Sequence, residues 1–101
     1  MTGHAAMRFS CHVREVVTRQ KRPTLIVTDA AIKDLPVRLQ VGDPIEVPHE
    51  DEATLRTYIA GVEISTPFDT RDPFSFMLPR DVDPTMLHIG DTIHFLPHDE
   101  T

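Results

Sequence analysis

Six histidines, a single cysteine and sixteen carboxylates are the groups in this 101-residue chain that could bind metal or move protons. His94 and His98 stand four apart, a spacing that converges on a helix face but not on a strand, and Pro97 lies between them. His88 and His94 share the outer face of a strand and Cys11 is remote, so the four ligands of a structural zinc site do not assemble and surface histidines are expected. Cys11 falls on the apolar side of its strand. A nucleophilic thiol needs a polar setting that lowers its pKa, so Cys11 reads as a small core residue. Ser10 and Ser75 lack the context of a nucleophile elbow. Asp81 and Asp83 sit in a turn, where capping occupies carboxylates better than acid–base work does. Neither Gly-x-x-x-x-Gly-Lys-Ser/Thr nor Gly-x-Gly-x-x-Gly occurs, so no phosphate cradle is present in the sequence. No enzymatic activity, cofactor or metal is expected.

The cations are distributed unevenly. Residues 1–40 carry seven Lys/Arg against three Asp/Glu, a balance of +4, whereas residues 41–101 carry three against thirteen, a balance of −10. Nucleic-acid binding rests on Lys and Arg displacing counterions from phosphates, so the net charge of −6 opposes a general nucleic-acid binder. Arg8, Arg14, Arg19, Lys21 and Arg22, with Arg71 further on, still offer a local basic patch. His49-Glu-Asp-Glu52 reads as a solvated loop, because sequential carboxylates do not aim at one point.

The elements that position these residues are strands. Leu39-Gln-Val-Gly-Asp-Pro-Ile-Glu-Val47 and Leu87-His-Ile-Gly-Asp-Thr-Ile-His-Phe95 are near copies, each alternating apolar and polar on both sides of a Gly-Asp pair. Gly42 and Gly90 can supply the positive φ of a tight turn, and Asp43 and Asp91 can accept hydrogen bonds from nearby backbone amides. Met7, Phe9, Cys11 and Val13 alternate with Arg8, Ser10, His12 and Arg14 to make a first strand with a basic outer face, and the break at Val16-Val17 predicts a bulge. A turn at Arg19–Arg22 leads to an apolar strand over Thr24–Thr28. Thr28-Asp29 could cap one helical turn through Ile32, which Pro36 ends. Leu55–Ser65 reads as one strand with Tyr58, Ala60, Val62 and Ile64 on a shared face, and Gly61 marks a bulge or close approach. After a polar loop over Thr66–Pro73, Phe74, Phe76 and Leu78 alternate as a further strand. Arg80–Pro84 is a turn or single 3₁₀ turn.

Nine prolines and short apolar runs favour strands and turns over long helices. The expected fold is all-β, a small closed antiparallel barrel of six or seven strands, which leaves no edge to aggregate. One domain over residues 7–97 is expected, with tails at 1–6 and 98–101. A core burying roughly 60 to 70% of the unfolded surface suffices at this length. One cysteine makes no intrachain disulfide, the N-terminus lacks a secretory pattern, and no apolar run approaches the ~20 residues that cross a bilayer. A cytoplasmic location is expected.

Read end to end, the pattern resembles the second-domain β-barrel of translational GTPases, the family of elongation factor Tu. The resemblance rests on Phe9, Val13 and Val16; on Leu25-Ile-Val-Thr28; on Val41-Gly-Asp-Pro-Ile-Glu-Val47; on Ala60-Gly-Val-Glu63; on Phe74-Ser-Phe-Met-Leu78; and on Arg80-Asp-Val-Asp83 through Ile89-Gly-Asp91. It covers about residues 8–96 and implies a barrel of the translation-protein type. Glu63 would then occupy the place of a glutamate that lies at the terminal adenosine of aminoacylated transfer RNA. Thr66 stands where the family has an arginine, Thr28-Asp29 where it has Thr-Gly, and Arg71-Asp-Pro73 where its loop ends in Gly-Asp/Glu-Asn. GTP hydrolysis is not expected. The leading expectation is a non-catalytic interaction barrel docking on a protein partner; the alternative is an RNA module for the 3′ end of transfer RNA or another RNA, using Glu63 and the basic residues. DNA and membranes are not expected partners. The sequence leaves the oligomeric state open.

Overall fold

The structure, a computed structural model, describes residues 8–97. Met7, His98 and the two expected tails lie outside the described residues. The fold is all-β: seven strands form one antiparallel sheet, curled into a barrel-like half-cylinder, in the order β4-β3-β7-β1-β2-β6-β5. The strands are β1 (Phe9–Arg19), β2 (Arg22–Ala31), β3 (Pro44–Val47), β4 (Leu55–Tyr58), β5 (Gly61–Glu63), β6 (Pro73–Met77) and β7 (Thr92–Phe95).

Two bent stretches make the sheet curl. Residues Phe9–His12 of β1 pair with β7, and Val13–Arg19 pair with β2. At the changeover Val13 faces Thr28 while Glu15 faces Val27, so Arg14 is the extra residue of a bulge. The bulge therefore falls before Val16-Val17, and a second register shift follows between Val17 and Arg19. Two consecutive outward residues, Arg14 and Glu15, shift the parity and return Val16 to the core side.

The second bend corrects the expected single strand over Leu55–Ser65. β4 pairs with β3 and β5 with β6, and only Ile59 and Ala60 separate them. Ile59 is fully buried, whereas Tyr58 is 49% and Ile64 61% exposed. The bend displaces the period-2 count, so Tyr58, Ala60 and Ile64 do not face the core. Gly61 does lie at a close approach: a Cβ there would meet the terminal methyl of Met77 at 2.6 Å.

Each Gly-Asp turn clips one of these bends. Gly42 N–H donates to Ile59 O and Ile59 N–H to Asp43 O, at 2.8 and 3.0 Å. In the second copy Gly90 N–H donates to Val13 O and Val13 N–H to Asp91 O, both at 2.8 Å. Gly42 and Gly90 have φ of 95° and 96°, in the left-handed region that glycine tolerates. Asp43 and Asp91 each accept from the amide three residues upstream, Gln40 N–H and His88 N–H, at 3.0 and 2.9 Å. The residues before each Gly-Asp form no strand. Leu39 and Leu87 are buried, but Val41 and Ile89 stand in solvent because the turn has begun.

Four of the five phenylalanines build the centre of the core. Phe76 and Phe74 meet Phe95 edge-on at centroid distances of 5.8 and 6.1 Å, and Phe9 stacks on Phe95. Ile26, Ile45, Ile93 and Leu78 close around them. Thr28 and Asp29 belong to β2 and cap nothing: the Thr28 hydroxyl donates to Phe74 O at 2.8 Å, and Asp29 accepts from His12 N–H. The short helical turn lies later, at Ile32–Asp34, without a side-chain cap, and Leu35 before Pro36 is extended as expected. A second 3₁₀ turn, Pro84–Met86, is capped by Asp83, which accepts from Thr85 N–H. No helix among the described residues is long and apolar enough to cross a membrane.

Candidate docking groove

A groove of about 620 Å³ opens beside β5. The stretch after β2 contributes Ile32, Leu35, Val37 and Leu39, and the end of the bent β4–β5 strand contributes Val62, Glu63 and Ile64. Phe74 lies at its floor side and Phe68 reaches it from the loop before β6. Phe68 is 57% exposed, so two large apolar side chains, Phe68 and Ile64, stand in water at one groove. Arg38 and Glu63 are its charged members. A smaller cleft of about 170 Å³ shares Ile32 and Glu63 and adds Ser65, Asp72 and Ser75.

The structure places Glu63 on this groove and disperses the cations expected to join it. Arg8 is committed to the fold: its guanidinium donates to the buried Asp43 carboxylate at 3.1 Å and to Arg38 O at 2.7 Å. Arg71 forms a two-bond fork with Asp69, at 3.1 and 2.9 Å, which also holds the Asp69 carboxyl below its ordinary pKa. Arg19 donates to Pro23 O across its own hairpin. Arg14 is exposed at the bulge. Lys21 and Arg22 line a separate cleft of about 240 Å³ at the hairpin tip, together with Arg80 and the rings of Pro23, Pro79 and Pro84. Lys21 takes a φ of 62° there.

Three further observations concern the titratable groups. Cys11 is 5% exposed and burial pushes its thiol up to about 11, so at neutral pH it is an unreactive core group. Among the described residues no group of three or more His, Cys, Asp or Glu is arranged to hold a metal. His49, expected in a solvated loop, is instead nearly enclosed, with a side chain 9% exposed. Its Nδ1 lies 3.2 Å from Ala53 O and its Nε2 3.7 Å from an Asp91 carboxylate oxygen. The Ala53 carbonyl raises its pKa most, followed among the raising contacts by the Met86 backbone and the Asp91 and Glu52 carboxylates; burial opposes them.

Sequence reasoning missed the groove itself. Parity puts Ile64 on the core face, and the alternation leading into Leu39 and Val41 reads as an ordinary half-buried strand. The one available sign was Phe68, a lone aromatic in an otherwise polar loop. No family model matches the chain, and neither comparison with curated proteins nor comparison with solved structures finds a match.

Proposed function

We propose that this chain is a non-catalytic interaction module of the closed-barrel, translation-protein type, acting in the cytoplasm by docking a protein partner on the groove beside β5. The observation that carries the reading is the pairing of Phe68 and Ile64, each more than half exposed, on one apolar groove. Large apolar groups gathered at a concave surface favour a covering partner, because burying them releases their hydration. Barrel closure is supported by β4 and β5, which end the two sides of the sheet yet are separated by two residues; a barrel closed by this bend, and not by a ladder between β4 and β5, keeps the outer side of β5 unpaired among the described residues. The translation-type assignment rests on the resemblance, in which Glu63 borders the binding site.

Selection from a random peptide library displayed on phage tests the reading. Enriched peptides should bind the wild-type chain and lose at least tenfold in affinity to Phe68→Asp, a substitution at an exposed site. Enriched peptides indifferent to Phe68→Asp, or no enrichment, would defeat it.

A second reading, RNA binding, is favoured by the Lys21, Arg22 and Arg80 cleft, whose lining contains no carboxylate. Charge reversal at Lys21 and Arg22 should then weaken transfer RNA binding across sequences and flatten its salt dependence. Amide shifts with aminoacylated transfer RNA concentrated at Glu63 and residues 66–73 would replace the protein-docking reading with a 3′-end pocket.

A further inference from the structure

We infer that β5 accepts an extended segment of the partner protein as an added strand, and that this segment carries a Lys or Arg seated against Glu63 and Asp72. The inference rests on the docking reading and names the kind of partner.

β5 is the last strand in the sheet order, and among the described residues its one ladder partner is β6. Alternate N–H and C=O groups of its other side therefore have no ladder partner, which makes that side a template for strand addition. Val62 and Glu63 of β5 and Ile64, the residue after it, all line the groove, so the groove lies against the end of this strand. Gly61–Glu63 contains no lysine and no proline, so the shortness of the strand and the Glu63 carboxylate are what guard this edge.

Charge selects the side chain. At the end of the groove shared with the smaller cleft, Glu63 and Asp72 stand together, and no cation is paired with Glu63 among the described residues. Arg71, the nearest arginine in sequence, is held by Asp69. Ser65 Oγ donates to one Asp72 oxygen, which orients that carboxylate. An incoming segment with apolar residues at alternate positions would cover Val62, Phe68 and Phe74, and a basic residue at its end would meet the two carboxylates. In strand addition the main chain supplies affinity and alternate side chains supply specificity.

The test uses a positional library of acetylated hexapeptides alternating valine and threonine, with lysine, glutamate or glutamine at either end. Binding is read by amide shifts of Val62, Glu63 and Ile64. Lysine-ended peptides should bind best, and Glu63→Lys should invert the preference toward glutamate. N-methylation of alternate peptide amides should weaken binding about tenfold, by removing ladder donors while keeping the side chains. Binding that ignores N-methylation would overturn strand addition and leave apolar docking standing. Binding that ignores terminal charge and Glu63→Lys would overturn the basic partner. If hexapeptides shift nothing while library-selected peptides still depend on Phe68, this inference fails alone; if neither binds, both readings fail.

Discussion

Asp43 and Asp91 occupy equivalent places in two equivalent turns, and their surroundings give them different work. Asp43 is 1% exposed and answered by the Arg8 guanidinium; Asp91 is partly exposed and flanked by His49 and His88 at 3.7 and 3.6 Å. Removing one member of a buried pair strands the other. Arg8→Ala should cost about 2 to 3 kcal/mol, below the range for fully buried pairs because Arg8 is partly exposed, and urea denaturation would show it as a lowered midpoint. An unchanged midpoint would mean that the Gln40 amide alone satisfies Asp43. At the other turn the charge is conditional. A histidine whose folded pKa is raised contributes stability that is fully present below its unfolded value, near 6.5, and lost as pH rises through the folded value. Thermal stability should therefore decline from about pH 6 upward, and His49→Gln should remove that part of the slope.

The Gly-Asp turns and the bends act as paired elements. A turn that needs positive φ delivers its Gly N–H and Asp C=O to one corner residue, Val13 or Ile59, and starts the next strand at the same time. Gly90→Ala isolates the backbone term, because a Cβ there meets nothing within 4 Å and only the φ of 96° opposes it. A loss of about 1 to 2 kcal/mol is expected, with native-like amide shifts away from the turn. A neutral substitution would show that the turn relaxes without disturbing the Val13 clip.

Across the whole molecule, the two sides of the sheet meet at Ile59. This side chain is fully buried and its backbone bonds to Gly42 and Asp43, while the neighbouring Ala60 N–H donates to Met77 O at 2.9 Å. Ile59→Ala should cost about 2 to 5 kcal/mol by leaving a cavity at the junction. Hydrogen exchange should accelerate in both β3 and β6, which touch opposite sides of that junction; acceleration confined to β3 would show that the sides unfold separately.

Much of this was legible in the chain. Alternation identified the strand residues Phe74, Phe76, Ile93 and Phe95, and the repeated Gly-Asp pair identified two equivalent turns, because period 2 and positive φ are local properties of a few residues. Glu63 is marked in the chain by the resemblance alone, and its position on the groove is a matter of the fold. Local rules failed where parity changes within a strand: Arg14 and Ile59-Ala60 redirect side chains because the sheet must bend there to bury both its halves around the phenylalanine cluster. The groove follows from those bends, since it joins residues 32–39 to 62–64 and 68, which are neighbours only after folding. The same holds for Arg8, whose partner lies thirty-five residues away. The sequence by itself determined an all-β chain and its turns; which cations remained free, and which apolar residues faced water, was decided by tertiary contacts between distant strands.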